Sequence, residues 1–203
     1  DRIDAGDGND RFWVNWSDTA LGGLGEDRAY VRFEYYQTII DNALPVGSLS
    51  MGGGNDYVRV QDGTMGGLAG GYAIDLGNGA DRIVVDGAFG TLTLGTGRDR
   101  VEMVAGPDSG SELVITDFQT GNGGDVFDIA AFIAAFGSAP TVPQTYAGDH
   151  EQLFNLFASG QAVLVQSGAD TLLKLGNGIG DTNPQTIATF LNTSVTSFTA
   201  HNL

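Results

Sequence analysis

The sequence predicts an all-β chain: short strands joined by tight turns that stack on one another. Three observations lead there. Gly supplies 32 of the 203 residues, a share that suits turns and disfavours helix interiors. The pattern Gly-x-Gly-x-Asp-x-apolar occurs six times. Two of its copies, "LGNGADRIVV" from Leu76 and "LGTGRDRVEM" from Leu94, place the same residue types at the same offsets, eighteen positions apart.

The six copies centre on Gly6, Gly8 and Asp10; Gly23, Gly25 and Asp27; Gly52, Gly54 and Asp56; Gly77, Gly79 and Asp81; Gly95, Gly97 and Asp99; and Gly121, Gly123 and Asp125. Unrelated Gly-Asp hairpin turns would not also keep an apolar residue two positions after each Asp. Here that slot holds Phe12, Ala29, Val58, Ile83, Val101 and Phe127.

The spacing has a chemical reason. Gly permits positive φ, so the backbone curls tightly and aims carbonyl oxygens to one side. The Asp adds a carboxylate on that side, and the apolar residue opens an inward-facing strand. One such turn offers too few oxygens for a cation. Two turns stacked about 4.8 Å apart offer carbonyls and two carboxylates, which suits the roughly six to eight oxygen ligands of Ca²⁺. Mg²⁺ fits badly, because it keeps several of its waters.

These residues resemble the RTX nonapeptide, Gly-Gly-x-Gly-x-Asp-x-apolar-x. The resemblance implies a parallel β-roll with two nonapeptides to a coil and Ca²⁺ between successive turns. An eighteen-residue coil would place Asp81 and Asp99 one coil apart, facing a shared ion. The likeness is strong over residues 1–128 and weaker beyond.

The departures from that pattern are informative. The repeat Asp residues are not evenly spaced, and few copies follow each other at nine. One side of the roll is therefore expected to keep the ion-binding turns, in a single ladder. The other side is expected to carry irregular loops such as "YYQTIIDNALPVG", "QDGTMGGLAGG", "DGAFG" and "AGPDSGS". The first Gly of the nonapeptide is replaced by Ala5, Met51, Leu76, Leu94 and Thr120, which leaves a backbone carbonyl but alters the surroundings of the turn. The opening "DRIDAGDGND" starts at a repeat Asp with Ile3 in the apolar slot, so a C-terminal fragment of a longer protein is expected.

Residues 1–128 are read as the roll and 129–203 as a C-terminal cap with short helices and a hairpin. Asp117 is a candidate ligand of the last ion. Asp128 reads as an N-cap to a helix carrying Ile129, Phe132, Ile133 and Phe136 on one face and ending at Gly137. "DHEQLFNLFASG" reads as a second helix with Asp149 as N-cap, and "AVLVQSGADTLLKL" as a hairpin. The tail "TIATFLNTSVTSFTAHNL" has almost no charge. It is similar to C-terminal type I secretion regions, which implies an ABC transporter as export partner.

The formal net charge of −16 argues against nucleic acid and anionic membranes and favours cations as partners. There is no Cys, and no apolar run long enough to span a membrane. Catalytic signatures are missing. His150 and His201 are the only histidines, neither in a His-Glu-x-x-His helix, and there is no Gly-x-Ser-x-Gly elbow or Walker lysine. The chain is read as a non-enzyme.

Arg11, Arg28, Arg82 and Arg100 each follow a repeat Asp and should point outward. They read first as neutralising the carboxylate row, second as a glycan contact. Tyr30, Arg32, Glu34 and Tyr36 form a second outward strip, and one of Trp13 and Trp16 should be exposed. The expected function is a secreted, extracellular Ca²⁺-binding module that folds after export. The alternatives are a surface-layer or adhesin element that self-assembles, or the accessory module of a secreted protease, lipase or polysaccharide epimerase.

Overall fold

In a computed structural model the chain winds between two β-sheets. The structure describes residues 1–15, 17–32, 47–61, 72–86, 90–105, 112–130, 162–176, 185–199 and 201–203.

The odd strands are β1 (Arg2–Asp7), β3 (Thr19–Leu24), β5 (Ser48–Gly53), β7 (Tyr72–Asp75), β9 (Gly90–Thr93) and β11 (Leu113–Ile115). They lie side by side in one sheet, each parallel to the next. The even strands are β2 (Arg11–Asn15), β4 (Arg28–Arg32), β6 (Tyr57–Gln61), β8 (Arg82–Asp86), β10 (Arg100–Ala105) and β12 (Val126–Asp128). They form a second, six-stranded parallel sheet. The chain thus crosses to the opposite sheet with every strand, and the expected all-β parallel roll is the architecture found.

Alternation along β2, β4 and β6 fills the space between the sheets. In β2 the buried residues are Phe12 and Val14, in β4 Ala29 and Val31, in β6 Val58 and Val60. The facing sheet contributes Ala20, Leu49, Ile74, Leu92 and Ile115. A period of two is the signature of strands with one buried face. Each strand alone could bury little, so stability must come from stacking coil on coil.

Met51, Leu76 and Leu94 stand where the nonapeptide has its first Gly, and all three are fully buried. That column points into the core, which explains why large apolar residues replace Gly there. Gly22 is the copy that keeps it. A Cβ at Gly22 would stand 2.5 Å from the Met51 carbonyl oxygen and 2.8 Å from Asp27 Oδ2.

The C-terminal strands extend the odd sheet. β13 (Ala162–Ser167) and β14 (Asp170–Leu175) form the expected antiparallel hairpin, turning at Gly168 with φ +63°. β15 (Gln185–Phe190) joins them, antiparallel to β14 and parallel to β11. Phe190 packs edge-on against Phe118 and Phe127, tying this extension to the core. The nine-stranded sheet therefore runs continuously from the first coil to the C-terminal hairpin.

Ala130 donates its backbone N–H to Asp128 Oδ1 at 2.8 Å; the helix expected to follow lies outside the described residues. Residues 131–161, and with them the expected second helix, lie outside the described residues, as do Glu34, Tyr36 and Trp16. Among the described residues no helix is long and apolar enough to cross a membrane.

Candidate metal centre

All six repeat turns fall between an odd strand and the following even strand, so they stack along one side of the roll. The segments of variable length fall between an even strand and the next odd strand. Coil length varies accordingly. The Asp-to-Asp steps are 17, 29, 25, 18 and 26 residues, yet the turns remain in register. Much of the extra length falls in residues 33–46, 62–71 and 106–111, which hold most of the expected irregular loops and lie outside the described residues; added length of this kind costs little.

Direct stacking explains the two Gly positions. Gly77 has φ +95°, and a Cβ there would lie 2.0 Å from the Gly52 carbonyl oxygen. Gly79 has φ +151°, and a Cβ would lie 1.6 Å from the Gly54 oxygen. Gly23, Gly25, Gly52, Gly54, Gly95 and Gly97 meet the carbonyl oxygens of the preceding coil in the same way. Gly6 and Gly8 open the stack and meet no earlier coil. Two columns of carbonyl oxygens therefore run along this side of the roll.

The carboxylates form a third column. The backbone N–H of Asp10 donates to Asp27 Oδ1 at 2.8 Å, that of Asp27 to Asp56 Oδ1 at 2.7 Å, and that of Asp56 to Asp81 Oδ1 at 2.7 Å. The series continues from Asp81 to Asp99 at 2.8 Å and from Asp99 to Asp125 at 3.0 Å. One oxygen of each carboxylate from Asp27 to Asp125 is thus spent on holding the previous coil. The other oxygen, Oδ2, of Asp10, Asp27, Asp56, Asp81 and Asp99 is buried without a hydrogen-bond partner.

Five buried, unsatisfied carboxylate oxygens in one file carry a large desolvation cost unless something neutralises them. Burial pushes Asp81 up to about 7, with the carboxylates of Asp99 and Asp56 adding to the rise against the hydrogen bond from Asp56. Burial likewise pushes Asp99 up to about 6, helped by Asp125 and Asp117. Asp56 and Asp125 are also held above the usual carboxylate range, again chiefly by burial.

No Arg or Lys forms an ion pair with this file among the described residues. Arg82 and Arg100 pair instead with Glu102 and Asp128 on the outer sheet face. Nor do three His, Cys, Asp or Glu side chains converge in a cluster there. The donors of this file are of another kind: carboxylate oxygens one coil apart, on the same side of the roll as the columns of backbone carbonyls. Hard oxygen donors without nitrogen or sulfur suit Ca²⁺. Beside Gly22, the unpaired Asp27 oxygen and the Met51 carbonyl already converge on one small space. The residues present therefore fit the ion that the sequence implies.

The last copy is built differently. Gly121 and Gly123 meet no neighbouring coil within 4 Å. Both oxygens of Asp125 are engaged, Oδ1 by Asp99 and Oδ2 by the Gln119 N–H at 2.7 Å. Asp117 stands outside the file. Its two oxygens accept the backbone N–H groups of Leu94 and Gly95, each at 2.8 Å. It clamps the end of the Gly ladder, and its negative charge acts on Asp99 from there.

Sequence reasoning missed Asn202. It is fully buried, and it fills the place that a further coil would take on the last turn. Its Oδ1 accepts from Gly121 N at 2.9 Å, and its Nδ2 donates to the Asp125 carbonyl at 2.9 Å and the Gly121 carbonyl at 3.3 Å. The Phe127 N–H donates to the Asn202 backbone oxygen at 2.8 Å. The only signal was the terminal "AHNL" itself.

No protein-family model matches the chain, and no curated protein matches it significantly.

Proposed function

We propose that this chain is a calcium-binding module of the RTX type, in which Ca²⁺ bound along the Asp file completes the fold. The observation that carries the reading is the unpaired inner oxygen repeated at Asp10, Asp27, Asp56, Asp81 and Asp99. Those oxygens, with the carbonyls of the stacked Gly residues, would hold the ions. The chemistry supplied is charge neutralisation, so that ion-binding energy becomes folding energy.

A roll of this kind would stay open in a low-calcium compartment and close in a high-calcium one. That agrees with export of an unfolded chain to the cell exterior, and the absence of Cys suits such passage. The tail resembles a type I secretion region, and the proposal extends to an ABC transporter as its reader. Deleting residues 138–203 from the full-length parent should then leave the product inside the cell. Normal secretion of the truncated protein would place the signal elsewhere.

The test of the main reading is circular dichroism with and without calcium. In EGTA the chain should lose most of its β signal. Millimolar Ca²⁺ should restore it cooperatively, and equal Mg²⁺ should do far less. A chain that is fully folded in EGTA at neutral pH would sink the proposal.

A further inference from the structure

The outer face of the six-stranded sheet divides the charge of this molecule unevenly. The whole chain has nine Lys and Arg against a formal net charge of −16. Four of those cations, Arg11, Arg28, Arg32 and Arg59, lie on the adjacent strands β2, β4 and β6. Those three strands contain no Asp or Glu. Their other outward positions are Trp13, Tyr30 and Tyr57, with the neutral amides Asn15 and Gln61 at the far end.

The arginines here do not neutralise the Asp file. Arg28, Arg32 and Arg59 make no ion pair among the described residues, and the Nε of Arg59 is buried without a hydrogen-bond partner. Arg11 lies over aromatic rings instead, 5.2 Å from the Trp13 centroid and 4.9 Å from that of Tyr30. The two rings stack at 5.6 Å, and Tyr57 stands edge-on to Tyr30 at 6.4 Å. Trp13 remains 54% exposed. At the other end of the sheet the charges cancel, because Arg82 and Arg100 pair with Glu102 and Asp128.

We propose that the outer face of β2, β4 and β6 binds an acidic polysaccharide. Exposed aromatic rings accept the apolar C–H faces of sugar rings, and guanidinium forks accept carboxylate or sulfate oxygens. The amides at Asn15 and Gln61 suit hydroxyl groups. Charge density favours this ligand over a polyphosphate chain. Arg11 and Arg28 face each other one strand spacing apart, about 4.8 Å, while Arg32 stands four residues, about 13 Å, further along β4. The cations thus form a pair and a separate single site, and the molecule's overall negative field opposes a densely charged polyanion. A sugar chain, whose acidic groups are separated by neutral rings, suits such separated cations. The proposal stands on the outer face alone and does not require the calcium reading.

The test is binding to immobilised hyaluronan and chondroitin sulfate, with dextran as the neutral control, in calcium buffer. The protein should bind both acidic chains, more weakly as salt rises, and should not bind dextran. Arg28→Gln and Trp13→Ala should each weaken binding about tenfold, as loss of a charge-assisted hydrogen bond or an aromatic platform does. Lys174→Gln changes the net charge equally but lies on β14 of the other sheet, and should leave affinity unchanged. Failure to bind either acidic chain, equal binding to dextran, or equal losses in Arg28→Gln and Lys174→Gln would overturn the proposal. So would tighter binding to polyglutamate or oligo-dT, which would assign the face to an acidic protein or a nucleic acid. Circular dichroism in the same buffer separates this outcome from a folding defect. Lost binding with an intact β signal condemns the face and leaves the Asp file untouched.

Discussion

The side-chain amide of Asn202 stands in for a peptide group of a missing coil. It accepts from Gly121 N at 2.9 Å and gives back to the Gly121 carbonyl at 3.3 Å. The same oxygen also takes the Thr199 N–H at 3.0 Å and its hydroxyl at 2.9 Å. A stack of coils must end somewhere, and its last turn otherwise leaves backbone groups unpaired. Here Asn202 supplies that pairing to Gly121 and Asp125.

Asn202→Ala should therefore be costly despite its distance from the unpaired Asp oxygens. It leaves the Gly121 N–H and the Asp125 carbonyl without this partner, at about 1–3 kcal/mol for each buried group left unsatisfied. A melting temperature in saturating calcium several degrees below that of the parent is expected. An unchanged melt would mean that the terminus only rests on the roll.

The stacked glycines differ sharply from the hairpin glycine. Gly79→Ala drives a Cβ to 1.6 Å from the Gly54 carbonyl oxygen, a backbone atom that cannot step aside. Adjacent coils must separate, so the loss should exceed the roughly 1–3 kcal/mol of local backbone strain alone. Gly168→Ala has φ +63° and nothing within 4 Å, so it should cost only the local strain. Thermal melts in calcium check the ranking, and equal losses would contradict direct stacking of the turns.

Much of this was legible because the repeat writes its chemistry locally. Gly-x-Gly-x-Asp states a turn, and the apolar slot at Phe12, Ala29, Val58, Ile83, Val101 and Phe127 states an inward strand; all six are buried. Met51, Leu76 and Leu94 read in sequence as departures from a ligand motif, whereas packing makes them core. Local pattern could not show that a column which tolerates Gly faces the interior. The pairing of β15 with β11 was illegible for another reason. Leu113 meets Ala188 across 75 positions, and no local signal encodes so distant a partner. The outward Arg residues read as neutralising the carboxylate row, but Arg82 and Arg100 pair with Glu102 and Asp128 on the same outer face, and Arg11 lies over Trp13 and Tyr30.

Without calcium the fold should depend on pH in a definite sense. Asp81 and Asp99 sit at about 7 and about 6 in the folded chain, above the unfolded value near 3.9. The folded chain therefore holds protons that the unfolded chain releases. Their contribution to stability is fully present below about pH 4 and is lost as pH rises through 6 and 7. In EGTA, the β signal should be stronger at pH 5 than at pH 8. Calcium binding near pH 6 should release protons, visible as a buffer-dependent heat in calorimetry. Identical EGTA spectra at the two pH values would count against buried, unneutralised carboxylates.

Asp81 and Asp86 give the sharpest contrast, because both lie within one coil. Asp86 ends β8, away from the file, whereas Asp81 holds the Asp56 N–H with one oxygen and leaves the other unpaired. Asp81→Asn keeps an acceptor for Asp56 and removes the charge. In EGTA at pH 8 that variant should fold better than the parent, since it no longer buries an ionised carboxylate beside those of Asp56 and Asp99. In calcium it should gain less stability than the parent and bind the ion about tenfold more weakly, having lost one charged ligand. Asp86→Asn should change neither quantity by more than a surface substitution does. Calcium titrations of both variants, followed by circular dichroism, decide the matter. Weaker folding of Asp81→Asn in both conditions would make Asp81 a structural acceptor alone, and equal effects of the two variants would mean that the ions bind elsewhere.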